Sequence, residues 1–363
     1  MDSTVYKAIE SHLMELITQN ANMPDYKLPS ERMLSASYGA SRKPVRRAYE
    51  QLIKKGYVTN IHGKGYFISS KLRENSAGAV FSPNNPKIAL IIPSIRSQFS
   101  HDILAGTSDF CSSHHLELAI HVSDDNAEKE DTLLRTMPSS GTKGIILFPT
   151  DCAPITEGAL LKLSIRRYPL VLVDRMVVNI HASFISSENY QAMVNAVAFL
   201  HEKGFEHIVY VTPPPNLNST VDARINGFTY GLLRSYQMAT PKNLLILEGS
   251  PMQVKNIVKT HLQSNPETDV LIAGGTIRLP LLQAVQELGL RIPQDLRLMF
   301  FDDELSTAER NTLRPYILQQ DGYQIGYLAA EALHNQLYGD FRPVIRHLPV
   351  SIMDADMEDP IQP

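Results

Sequence analysis

The sequence predicts an α/β protein in two units: an N-terminal winged helix-turn-helix, and a two-lobed body of parallel sheets flanked by helices. Three observations predict it. Charge is partitioned along the chain, the hydrophobic period changes from 3.6 to two within the first seventy residues, and short apolar runs alternate with helical segments after residue 86. At 363 residues the chain exceeds one ordinary domain, and 43% hydrophobic with 20% charged residues describes a soluble globular protein.

The partition of charge carries the first functional information. Residues 1–73 hold 12 Lys and Arg against 6 Asp and Glu, while the rest of the chain holds 22 against 32. A basic unit on an acidic body suits an anionic partner for that unit alone. No apolar run reaches about eighteen residues, and the start, "MDSTVYKAIE", lacks the basic-then-apolar order of a signal peptide. A cytoplasmic protein with no membrane partner is expected. Cys111 and Cys152 form no C-x-x-C pair and read as buried free thiols.

Within the basic unit, Val5, Ile9, Leu13, Leu16 and Ile17 recur at helical spacing. Pro29-Ser30 opens a second, short helix with Ser30 as N-cap, Glu31 in its first turn and Gly39 at its end. A third helix begins near Ser41 and turns Val45, Ala48, Tyr49, Leu52 and Ile53 inward until Gly56 stops it. Pro44 sits in the first turn, where its missing N–H costs nothing. "YVTNIHGKGYFIS" then reads as two strands joined by a tight turn at His62-Gly63-Lys64-Gly65. Arg42 and Arg46 share a stripe off the core face, flanked by Lys43 and Arg47. Three helices and a basic-tipped hairpin make a winged helix that would place the start of its third helix in a major groove of DNA. Arg42 and Arg46 suit bidentate guanine contacts, and Lys43, Arg47 and Lys64 suit phosphates.

"LPSERML", "SRKPVRRAYEQL", "KGYV" and "HGKGYFI" resemble, in order and spacing, the GntR-type winged helix over nearly all of residues 1–70. The resemblance implies operator contacts from Arg32, from Ser41, Arg42, Lys43 and Arg46, and from His62, Gly63 and Lys64. Residues 71–86, "KLRENSAGAVFSPNNP", lack apolar periodicity and read as a linker.

From residue 87 to 363 the pattern is that of a second domain. Apolar runs begin at 87, 116, 144, 169, 207, 243, 269 and 296, separated by helical stretches such as "NYQAMVNAVAFLHEKG" and "LPLLQAVQELG". Strands apolar on both faces and joined by helices imply parallel sheets, and their number exceeds one small sheet. Two lobes with a cleft at the carboxyl ends of the strands are expected. Phe99, Asp174, Arg175, Arg224, Asp302, Asp303 and Gln320 fall at or near strand ends, where they could grip a polar ligand; ordinary capping and salt bridging would place the same residue types there.

"IALIIPSIRSQFSHDILAG", "PLVLVDR", "HEKGFEHIVYV", "DARINGF", "ELGLRIPQDLRLMFFDD" and "LRPYILQQDGYQIGYLAAEAL" resemble the LacI/GalR effector domain, a type I periplasmic-binding-protein-like fold, over about residues 86–353. That resemblance implies effector contacts from the Phe99 region, Asp174 or Arg175, Arg224, Asp302 and Gln320. It departs at Gly274-Gly275, where sugar-responsive members usually carry Asn-Asp, and in the linker, where LacI-type proteins carry a hinge helix. A GntR-type head on such a body is similar to the arabinose-responsive repressors of bacilli.

The expectation is a DNA-binding regulator of transcription, a repressor and homodimer on a pseudo-palindromic double-stranded operator. A small polar effector, a sugar first and a nucleobase or other metabolite as the alternative, would control it. An enzyme carrying a GntR-type head is the rival reading. It would need a Schiff-base lysine, a phosphate-binding glycine loop, an H-E-x-x-H set or a G-x-S-x-G elbow, and none can be placed. No cofactor, metal or catalytic residue is therefore expected.

Overall fold

The computed structural model describes residues 2–20, 26–61, 63–69, 85–151, 153–274 and 277–354. His62, Cys152, Gly275 and residues 70–84, nearly the whole expected linker, lie outside the described residues. In the head, α1 (Asp2–Asn20) buries Ile9, Leu13 and Ile17, with Leu16 half-buried beside them. α2 (Glu31–Ser37) starts at Ser30, whose hydroxyl accepts from the Met33 amide, and ends two residues before Gly39, whose φ is +56°. α3 (Arg42–Lys54) buries Pro44, Val45, Ala48, Tyr49 and Leu52. Ile53 departs from its expected inward place and is 37% exposed. Eight residues after Val45 the helix has turned about 80° past it, so Ile53 lies at the edge of the stripe.

β1 (Val58–Ile61) and β2 (Gly65–Ile68) form the wing, paired antiparallel from Val58–Ile68 to Ile61–Gly65. Gly63 and Gly65, at φ +75° and +108°, supply the positive dihedrals that the tight turn needs. Lys27 bridges Phe67, and the Leu28 amide donates to the Tyr66 carbonyl, so a third extended segment flanks the hairpin.

The body has two six-stranded sheets. The first lobe orders its strands β4 (Glu117–Val122), β3 (Lys87–Ile92), β5 (Gly144–Leu147), β6 (Leu170–Val173), β7 (Ser183–Ser187) and β13 (Ile345–Leu348), all parallel. The second orders β9 (Leu244–Ile246), β8 (Ile208–Thr212), β10 (Val270–Gly274), β11 (Arg297–Phe301), β12 (Tyr316–Gln319) and β14 (Ser351–Asp354), parallel except for antiparallel β12–β14. The eight apolar runs are all strands. β7, β13 and β14 escaped the sequence reading: "SFISS" is rich in hydroxyls yet wholly buried, and β13 is an exposed edge.

The chain crosses between lobes three times: after β7 into α7 (Asn189–Glu202), after β12 into α12 (Gly322–Leu337), and after β13 into β14. α12 therefore returns to pack on α4 (Gln98–Ser113) of the first lobe. The two helices nearly touch along their backbones: a Cβ on Gly106 would stand 1.9 Å from the Tyr323 carbonyl oxygen, and one on Gly326 2.0 Å from that of Ile103. These crossings bring the residues after β6 and β11, Asp174 and Asp302, to one seam between the lobes beside Arg224, the expected place of the cleft.

Candidate DNA-reading face and ligand cleft

In the head, Arg32, Ser41, Arg42, Lys43, Arg46, Arg47, Gly63 and Lys64 are all exposed. α3 can offer its first two turns outward because Val45, Ala48, Tyr49 and Leu52 fix its other face in the core. Two of the cations are tethered. Arg46 pairs with Glu31 of α2 through both Nε and a terminal nitrogen, each at 3.5 Å, and Glu31 in turn accepts from the Tyr66 hydroxyl of the wing at 2.7 Å. One carboxylate thus joins the helix-turn-helix to the wing. The partners Tyr66 and Arg46 hold the Glu31 pKa down against the opposing effect of its partial burial. Arg47 leans back, its guanidinium 5.1 Å from the centre of the Tyr6 ring on α1. Arg42, Lys43 and Lys64 remain extended candidates for phosphate and base edges. Lys27 was missed by the sequence reading; its exposed side chain lies beside the wing turn, with Cε 3.2 Å from where a Cβ on Gly65 would be.

In the body, Asp174 ends β6 and Asp302 ends β11, and both adopt left-handed backbone conformations, φ +61° and +59°. Non-glycine residues held this way at matching strand ends of the two lobes mark positions where the fold imposes a side-chain direction. The second-lobe carboxylate is paired: Gln320 donates its side-chain amide to Asp302 Oδ2 at 2.8 Å and its backbone amide to Oδ1 at 3.3 Å. Asp303 instead ion-pairs with Arg310 of α11 (Thr307–Leu313), which leaves Asp302 to face the cleft. Arg224, on α8 (Ser219–Tyr236), lies over Phe301 with 3.6 Å from guanidinium carbon to ring centre, and its Nε donates to Asn189 Oδ1 at 2.7 Å. It is close enough to both Asp174 and Asp302 to lower their pKa values, yet burial prevails: Asp174 is raised, and Asp302 is pushed up to about 6.

On the first-lobe side, Arg175 bonds Asp151 at 3.0 Å and the Pro149 carbonyl at 2.8 Å, lies 3.7 Å from Asp174, and sits over Phe148. Phe99 is buried in the first-lobe core, edge-on to Phe148, and so reaches the cleft only as backing for Arg175. The lobes touch through the start of α8. Asn218 donates to Asp151 at 2.6 Å, Thr220 to the Asp174 carbonyl at 3.0 Å, and the Met176 amide to Ser219 at 2.8 Å. The structure therefore brings Asp174, Arg175, Arg224, Asp302 and Gln320 together. Asp151, Asn189, Asn218 and Phe301 are additional members. Their signal in the sequence is weak, because an asparagine before a helix reads as a cap, as Asn218 also is.

Two acceptors in this group are buried without a protein hydrogen-bond partner, Asp174 Oδ1 and Gln320 Oε1. Gly274 ends β10 with open space where a Cβ would stand. Four carboxylates (Asp125, Asp151, Asp174, Asp302) stand with three guanidinium groups (Arg96, Arg175, Arg224), a surplus of one, with Asp125 close enough to Arg175, Asp151 and Arg96 to feel all three charges. Such a site can accept hydrogen bonds from a ligand more readily than it can hold an anion.

Comparison with known proteins agrees with both halves. Residues 5–68 match the family model of bacterial regulatory proteins, gntR family, and residues 197–353 match that of the periplasmic binding protein-like domain. An arabinose metabolism transcriptional repressor of Halalkalibacterium halodurans is 22% identical over 337 residues, covering 91% of this chain and 88% of the relative. A ribose operon repressor of Haemophilus influenzae is 24% identical, covering 81% and 91%. Among solved structures, the transcription regulator CcpA of Lactococcus lactis superposes with a TM-score of 0.65 at 20% identity, over 74% of this chain and 98% of that one. These proteins are regulators of transcription and not enzymes. The chain is a transcriptional regulator that joins a GntR-type winged helix to a periplasmic-binding-protein-like domain, and it resembles the arabinose metabolism transcriptional repressors of bacilli.

Proposed function

We propose that the protein is a cytoplasmic, homodimeric repressor whose operator affinity is controlled by an uncharged, hydroxyl-rich ligand, a sugar, in the cleft. Residues 1–70 read DNA, 71–86 link, and 87–363 sense and dimerise. The observation that carries the ligand class is the pair of unpartnered buried acceptors, Asp174 Oδ1 and Gln320 Oε1, around the shared Arg224. A buried acceptor without a donor is costly, and ligand hydroxyls supply donors. Arg224 and Arg175 orient the remaining ring and hydroxyl oxygens, and the surplus of carboxylates disfavours phosphorylated sugars and sugar acids. The names of arabinose and ribose repressors among the relatives support the same class.

In this reading Arg42 and Arg46 read bases, Arg32, Ser41, Lys43, Arg47, Gly63 and Lys64 position the head on the backbone, and His62 takes the wing-tip role its motif implies. Two heads on one dimer would meet a pseudo-palindrome, and ligand would shift their spacing. The test is a thermal-shift screen of the full chain against neutral pentoses and hexoses, sugar acids, phosphorylated sugars and nucleobases. A ligand at about 100 times its dissociation constant adds about 2.7 kcal/mol. Stabilisation confined to neutral sugars is expected; stabilisation by sugar phosphates or nucleobases alone would contradict the ligand class.

A further inference from the structure

The winged head does not stand clear of the body. α6 (Ala153–Ile165) follows directly on the cleft residues Thr150 and Asp151 and presents two apolar faces. Ala159, Leu160 and Leu163 belong to the first-lobe core, whereas Leu161 and Ile165, four residues apart, belong to the core of the head with α1, Tyr49 and Tyr57. Leu161, Ile165 and Tyr57 are each no more than 3% exposed. The Tyr57 hydroxyl donates to the Gly158 carbonyl at 3.4 Å, and Ile180 packs against both clusters.

The other end of α6 is tied to the cleft. Asp151, two residues before the helix, bonds Arg175 at 3.0 Å and receives Asn218 of the second lobe at 2.6 Å. The Thr150 amide donates to the buried Glu130 of α5 (Ala127–Thr136) at 2.8 Å. One helix of thirteen residues, about 20 Å long, therefore has its start held by both lobes at the ligand cleft and its end packed into the head.

We propose that α6 is the transmission element of this protein: the network of Asp151, Arg175 and Asn218 sets the position of α6, and Leu161 with Ile165 carries that position to the docked head. The docking face is separate from the reading face, since Arg42, Lys43, Arg46 and Lys64 stay exposed while Tyr57 is covered. A docked head can thus bind DNA, and a shift of α6 re-aims it. Packed elements move as units because close-packed interfaces do not deform continuously. The inference rests on the cleft being the sensing site, but its test needs no ligand, so a wrong ligand class leaves it standing.

The test is a double-mutant cycle on a duplex selected by the parent protein from a random library. Asp151→Ala should change operator affinity by roughly fivefold or more in the parent chain. In a Leu161→Ser/Ile165→Ser background the same substitution should change it less than about twofold. Amide exchange should show residues 159–165 losing protection in that background while α1, α3 and the second lobe keep theirs, which separates undocking from unfolding. Tyr57→Ala, made from the head side, should abolish the Asp151→Ala effect in the same way. Equal Asp151→Ala effects in docked and undocked backgrounds, no effect in the parent, or unchanged exchange protection would each overturn the proposal.

Discussion

The head and the cleft hold charge in opposite ways. Arg32, Arg42, Lys43 and Lys64 stand in solvent, and even the tethered Arg46 keeps 63% of its side chain exposed. In the cleft, Asp174 and Gln320 are almost fully buried, and Arg224 is stacked on Phe301 and bonded to Asn189. On the proposed function, the difference reflects what each would bind. A phosphate backbone is a long array of like charges that exposed cations meet through counterion release, so geometry can be loose. A small ligand offers few groups, and only fixed, desolvated partners can discriminate among them.

The comparison breaks most sharply at Arg224. Removing this cation leaves Asp174 and Asp302 facing each other across the cleft, so Arg224→Ala should destabilise the body by about 3 kcal/mol, measured by denaturant unfolding, and abolish ligand binding. A variant as stable as the parent would show that the two carboxylates do not share this arginine. On the head, a single cation should matter less to folding and more to DNA. Arg46→Ala should cost about 1–3 kcal/mol of operator affinity and relax preference at one base pair. Lys64→Ala should weaken all sequences alike and lower the salt slope by about one, read from mobility shifts across a salt series.

Titration sharpens the same contrast. Burial raises Asp302 to about 6 and Glu130 to about 7, and raises Asp174 as well. A carboxyl raised in the folded state contributes stability that is fully present below its ordinary pKa near 4 and is lost as pH rises through the folded value. The melting temperature should therefore fall between about pH 4 and pH 7, and Asp302→Asn should flatten part of that fall. Ligand hydroxyls favour the ionised acceptors, so sugar affinity should rise over the same range. Glu31→Gln should have the smallest effect, about 1 kcal/mol or less on stability, because the Arg46 end of its ion pair is 63% exposed. A larger loss would mean that its bond to Tyr66, rather than the ion pair, holds the wing.

The head was nearly all legible in the sequence because its signals are local: a cap at Ser30, a stripe from Val45 to Leu52, and a glycine turn at Gly63 to Gly65. Among the described residues of the head, Ile53 at the edge was misjudged and the flanking Lys27 was missed. The cleft was legible at the ends of strongly apolar strands, where Asp174, Asp302 and Gln320 stand out. Its other members come from the crossings between lobes. Asn189, Asn218 and Asp151 gain their roles from contacts between residues far apart in the chain, such as Asn218 with Asp151, 67 positions away. The second face of α6 was equally hidden, since Leu161 and Ile165 look like ordinary core positions until the head is seen against them.

The most direct test of the central claim, that cleft and head are coupled, is operator affinity with and without saturating ligand. Fluorescence anisotropy on a duplex selected by the protein, with whichever neutral sugar raises the melting temperature, should show affinity shifted by roughly fivefold or more. A sugar that demonstrably binds while operator affinity stays the same would contradict the account.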